Sequence, residues 1–188
     1  QALDILGAEP EPTKLFADIL VSLGRIDKVT SEYGAAFDNF QRAYEVFRAI
    51  GDTRSESIVL QSIGSIYNDA HQYRRAESYY VDAMRRHPGD PSLDLAANNN
   101  LGNAYRELGQ YQEALEHFQR ARELAAEMGS TALQARILNN MASLQVAFGE
   151  LDAAANTVDE AFSISGDSAR DEWTRFLWGT HARISYER

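Results

Sequence analysis

The sequence holds no cysteine, which excludes a disulfide framework, a thiolate metal site and a cysteine nucleophile. Prolines number only four and glycines twelve, so little interrupts long helices. No run of about 18 apolar residues is present to span a bilayer, and no charged-then-apolar signal segment opens the chain. A cytoplasmic location is therefore expected, or a periplasmic one if a signal segment has been removed. Basic residues are in deficit, 18 Lys and Arg against 28 Asp and Glu, for a formal net charge of -10. They form no basic run, and phosphate binding needs concentrated positive charge, so a nucleic-acid partner is not expected.

What the chain does have is a 44% hydrophobic content over 188 residues, enough for a buried core, with alanine, leucine, glutamate, arginine and glutamine abundant. This composition predicts an all-α protein. The stretch Asn98 to Leu124 sets the pattern: Leu101, Gly102 and Tyr105 mark a first helix, Gly109 and Tyr111 a turn, and Ala114, Phe118 and Ala121 a second helix. Moved back 38 residues, the pattern falls on Ile63, Gly64, Tyr67, Tyr73, Ala76, Tyr80 and Ala83. A further 40 back gives Leu23, Gly24, Asp27, Tyr33, Ala36, Phe40 and Ala43, and 40 forward gives Met141, Ala142, Gln145, Leu151, Ala154, Val158 and Ala161.

This spacing resembles the tetratricopeptide repeat, whose Trp-x2-Leu-Gly-x2-Tyr and Ala-x3-Phe pattern is matched except that Asn98 replaces the tryptophan. The 38 to 40 residue period is longer than usual and is similar to the repeats of kinesin light chains and some bacterial regulators. The resemblance implies a right-handed α-solenoid of stacked hairpins, with a concave face lined by the first helices. A single domain over residues 1–188 is expected, with repeats at about 12–51, 52–89, 90–129 and 130–166 and a partial or capping helix at 167–188. The opening QALDILGAEP reads as the end of an earlier second helix. Gly51-Asp52, Gly89-Asp90, Gly129-Ser130 and Gly166-Asp167 join a glycine suited to a helix C-terminus to an N-cap residue, while Pro12 and Pro91 suit first turns.

Catalytic patterns are poor. His71, His87, His117 and His181 are too far apart for a His-x3-His pair, and no phosphate loop or nucleophile elbow is present. No enzyme activity, cofactor or metal is expected. The informative polar residues lie on the first helices: Gln61 and Asn68 in the second repeat, Asn99, Asn100 and Asn103 in the third, and Asn139, Asn140 and Ser143 in the fourth. An asparagine amide offers two donors and an acceptor, which suits the backbone of an extended peptide. Leu138-Asn139-Asn140-Met141-Ala142 resembles the Leu-Asn-Asn-Leu-Ala segment of kinesin light chain repeats, and the resemblance implies that such asparagines hold a bound peptide. The alternative is that Asn100 and Asn140 bond neighbouring helices or solvent inside the superhelix.

Groove steps carry Arg25, Lys28, Arg106 and Arg136 against Asp18, Asp69 and Glu107, a positive excess in a negative molecule, so an acidic segment is expected in the ligand. Val21 and Ser22 stand where the two-carboxylate clamp of chaperone-binding members would want charge, which argues against chaperone tails. Trp173, Phe176, Leu177 and Trp178 make the last helix aromatic; Trp178 is expected to pack on the fourth hairpin and Phe176 to lean toward the groove or an open end. An uncovered end would favour a homo-oligomer through the terminal helices. The function expected is a protein-binding scaffold that takes a peptide or protein segment in its groove. The alternatives are a sensory or regulatory domain of a larger bacterial signalling protein and a self-associating scaffold.

Overall fold

The computed structural model describes residues 13–165 and the helix 172–187, with side chains in that helix from 179 to 186. The expectations for QALDILGAEP, Pro12, Gly166-Asp167, Trp173, Phe176, Leu177 and Trp178 concern residues or side chains outside the described residues. The chain forms two compact units, Gln1–Pro88 and Gly89–Arg188. Their described residues are helical, and the only other structure is short turns.

In the first unit α1 (Lys14–Val29) pairs with α2 (Tyr33–Ile50) and α3 (Thr53–Asp69) pairs with α4 (Tyr73–Arg86). The α2 helix also packs on α3, so the two hairpins stack around Ala36, Phe40, Ala43, Phe47, Val59 and Ile63. The second unit repeats this with α5 (Pro91–Glu107), α6 (Tyr111–Glu127), α7 (Thr131–Ala147) and α8 (Leu151–Ser165), and α9 (Glu172–Glu187) packs on α7 and α8. Its core is built on Phe118, Leu124, Ile137, Leu138 and Leu144, with a second cluster of Ala142, Val146, Ala154, Val158 and Ile184.

The small residue of each first helix lies against the large residue of the second. A Cβ placed on Gly64 would stand 2.6 Å from the Tyr80 ring, one on Gly102 2.7 Å from Phe118, and one on Gly24 2.9 Å from Phe40. Real Cβ atoms do not approach that closely, so glycine is what lets the ring lie flat on the backbone. The fourth hairpin exchanges the two roles: Ala142 carries the methyl and Val158 replaces the ring, both fully buried.

A second slot recurs twelve residues apart within each hairpin and is filled differently each time. Asn39 Nδ2 donates to Asp27 Oδ2 at 2.8 Å, Tyr67 stacks on Tyr79 with centroids 5.2 Å apart, and Tyr105 stacks on His117, also at 5.2 Å. In the fourth hairpin the slot holds Gln145 and Thr157, both buried.

Capping follows the sequence. Asp52 accepts from Ser55 N at 3.0 Å, Asp90 from Ser92 N and Leu93 N at 3.0 and 3.2 Å, and Ser130 from Leu133 N at 3.3 Å. The second helices lack such caps. They start from turns closed by backbone bonds such as Gln72 N to Tyr67 O and Gln110 N to Tyr105 O, at 2.8 and 2.9 Å. The residue before each of these closures has positive φ: Gly109 and Gly149 in the second unit, but Ser31 at 65° and His71 at 57° in the first. A side chain in that conformation costs about 1 kcal/mol or more.

Candidate interaction face

The polar face of the second unit is built on α5, α7 and α9. Two small residues, Ala97 and Gly102, bury the opposite side of α5, which leaves the 99, 100, 103 and 106 steps half-buried along one face. On α7 the corresponding side chains are Arg136, Asn139, Asn140 and Ser143, also half-buried.

These amides bond to one another across helices. Asn140 Nδ2 donates to Asn99 Oδ1 at 2.8 Å, and Thr180 Oγ1 donates to Asn139 Oδ1 at 2.8 Å. Both pairs lie 41 residues apart, one beyond the 40-residue equivalence of Asn99 with Asn139. Asn103 Nδ2 and Ser143 Oγ bond back to the carbonyls of Asn99 and Asn139, at 3.0 and 2.9 Å. Asn140 therefore bonds a neighbouring helix, as the second of the two readings requires. The oxygens of Asn99 and Asn139 are engaged, and the donors of their amides are what these two residues present. The Asn100 side chain makes no hydrogen bond with the described residues.

Asn98 belongs inside the hairpin. It is buried, donates to Asp94 O at 2.8 Å, and meets His117 Nδ1 through its Oδ1 at 2.9 Å. With the Asn98 amide nitrogen committed to Asp94, the oxygen faces the ring, so His117 Nδ1 carries the proton. The residue that departs from tryptophan thus ties α5 to α6.

The charged steps divide unevenly. In the first unit two cations, Arg25 and Lys28, meet two anions, Asp18 and Asp69, and Lys28 pairs with Asp69 at 3.0 Å. In the second unit the charged groove steps are Arg106, Arg136 and Glu107, and Arg106 holds Glu107 at 2.9 Å. Gln61 and Asn68 lie on α3 of the first unit. Gln61 is buried, and Asn68 Oδ1 is a buried acceptor with no hydrogen bond from the described residues.

Two features escape a reading of motifs. Thr180 joins the amide series, and the signal for it is the step of 40 residues beyond Asn140. A depression of about 210 Å³ in the first unit is lined by Asp18, Val21, Arg25, Phe47, Ser55 and Ile58 among others. At the rim of the α1–α3 contact, Lys14 Nζ reaches Asp52 Oδ2 at 2.5 Å. Burial works against the Asp52 charge, but hydrogen bonds from Lys14 and from Ser55 outweigh it and hold the carboxyl below its ordinary value.

Stacked antiparallel hairpins, each closed by a small residue against a large one, define a helical-repeat protein. Residues 93–166 match the tetratricopeptide repeat family model, and the fold is the all-α, stacked-hairpin kind that the sequence resembles. BtubC (BKLC) from P. vanneervenii is similar in structure at a TM-score of 0.77, with 14% identity over 98% of this chain and 79% of that one. The apo form of RapI gives 0.77 and 15% identity over 98% and 74%, and a Podosopora anserina kinesin light chain with nearly identical repeats gives 0.66 and 16% over 90% and 84%. No curated protein matches the chain. Among the described residues no helix is long and apolar enough to cross a membrane.

Proposed function

We propose that the chain is a non-enzymatic protein-interaction module that holds an extended, acidic peptide segment on the face formed by α5 and α7. The observation that carries this reading is the engagement of the Asn99 and Asn139 oxygens, which leaves their amide donors unengaged on the helices that also carry Arg106 and Arg136. A donor-rich face suits an acceptor-rich ligand, meaning backbone carbonyls with a carboxylate nearby. Asn100, Asn103, Asn140 and Ser143 complete the face, while Gln61 and Asn68 are the corresponding polar residues on α3 of the first unit. Among the groove steps of the second unit, two arginines stand against the single Glu107, which favours acidic over neutral segments.

The test is fluorescence anisotropy with extended peptides of acidic, neutral and basic composition. Acidic peptides are expected to bind most tightly, and Arg106→Ala with Arg136→Ala to weaken them roughly tenfold or more, in keeping with charge-assisted hydrogen bonds. An Asn99→Ala/Asn139→Ala variant that keeps its helical circular dichroism should weaken all three classes. Equal binding of acidic and basic peptides would sink the proposal.

A further inference from the structure

The first unit carries a depression of about 430 Å³ lined by Tyr44 of α2, Thr53 and Leu60 of α3, and Asp82, Arg85 and Arg86 of α4. It shares no residue with the smaller depression between α1 and α3. Its guanidinium Arg86 is set in place from two sides, with Nε 2.9 Å from Glu56 Oε2 and Nη2 donating to the Tyr44 hydroxyl at 2.7 Å. Glu56 is 2% exposed and stands in the first turn of α3, where the positive end of the helix favours a carboxylate. A cation already held loses little freedom when it takes a ligand. Donors are left over: the Tyr44 hydroxyl accepts from Arg86 and keeps its own proton to give, and Arg85, well exposed, reaches Asp82 at 3.8 Å, beyond hydrogen-bond distance. Leu60 supplies an apolar floor.

The second unit fills the same place from its own chain. Two repeats on, Arg122, Leu138, Glu160 and Ile164 stand for Tyr44, Leu60, Asp82 and Arg86; Arg122 pairs with Glu160 from α6 to α8, and Ile164 packs against the core. A carboxylate meeting a guanidinium thus closes that position. In the first unit Asp82 is one methylene shorter than Glu160, and the depression stays open. We infer that it binds a small monocarboxylate with a short apolar tail, the carboxylate lying between Arg85 and Arg86 and accepting from Tyr44, the tail resting on Leu60. A doubly charged phosphate is disfavoured, because Glu56 already offsets Arg86 and Asp82 stands at Arg85, so the site has no positive excess. The inference is independent of any peptide bound by α5 and α7.

The test is an amide NMR titration of the full chain with isovalerate, with isovaleramide, which keeps the tail and lacks the charge, and with inorganic phosphate. Isovalerate should shift the amides around Thr53, Leu60 and Arg86 to saturation and bind at least about tenfold more tightly than the other two, the size of one charge-assisted hydrogen bond. Tyr44→Phe and Arg85→Gln leave Glu56 its Arg86 partner, and each should weaken isovalerate roughly fivefold with the helical circular dichroism unchanged. Asn99→Ala/Asn139→Ala should leave this binding as it is. Isovaleramide or phosphate binding as tightly as isovalerate would overturn the inference. So would the absence of saturable shifts in α3 and α4, or binding that survives both substitutions.

Discussion

The first helices of the two units are tied together by different chemistry on the same scaffold. Between α1 and α3 the ties are ionic, Lys28 with Asp69 and Lys14 with Asp52. Along α5, α7 and α9 they are neutral, Asn140 with Asn99 and Thr180 with Asn139. Ion pairs at a solvated surface contribute little and fade with salt. Paired amides keep their bonds at any pH and ionic strength, and a half-buried one is costly to leave unmet. The comparison shows that the packing code of small against large residues fixes the hairpins, while the polar face is free to vary from one unit to the other.

The largest effect should come from the part the two units share. Gly64→Ala and Gly102→Ala force a methyl into Tyr80 and Phe118, and each should cost about 1–3 kcal/mol in urea denaturation despite the better helix propensity of alanine. If either were stabilising, the two units would not share one code. Next, Asn140→Ala leaves the Asn99 oxygen without its donor and should cost about 1 kcal/mol, alike in low and high salt. A double-mutant cycle with Asn99→Ala should recover a coupling of similar size.

Asp52 gives the cap of α3 a dependence on pH. Its folded value is depressed, so the stability it adds is present above the unfolded value near 4 and is lost as the pH falls through the lower folded value. Acid titration followed by circular dichroism should show Asp52→Asn flattening part of this loss, whereas Ser130, which caps α7, adds no such dependence. The smallest effect belongs to Lys28→Ala, which should cost about 0.5 kcal/mol or less, and nothing measurable in about 1 M salt. A cost as large as that of Asn140→Ala would erase the distinction.

The hairpins are legible in the sequence because close packing leaves a rigid trace: a small residue, a large one sixteen positions on, and a turn between them. Gly102 with Phe118 and Gly64 with Tyr80 show the rule, and Ala142 with Val158 keeps it by exchange. The half-buried asparagines are legible too, since 40-residue equivalence places Asn99 and Asn139 on like faces. Their partners are not. The bond from Asn140 to Asn99 depends on a stagger between α5 and α7 that shifts the contact by one residue, and no spacing rule within one helix contains that shift. The role of Asn98 is hidden for a related reason: His117, nineteen positions later, supplies its partner from inside the hairpin.

The exchange in the fourth hairpin also has a preferred order of substitution. Starting from a glycine and an aromatic ring, a change of the ring to valine leaves a void that neighbouring side chains can partly fill. Changing the glycine first places a methyl within the reach seen for Gly102 and Phe118, 2.7 Å, and the helices must separate before the partner can adjust. A hairpin of the Gly102 kind converts to the Ala142 and Val158 kind at lower cost by losing the ring first and gaining the methyl afterwards, and the two single-substitution intermediates should differ in stability in that order.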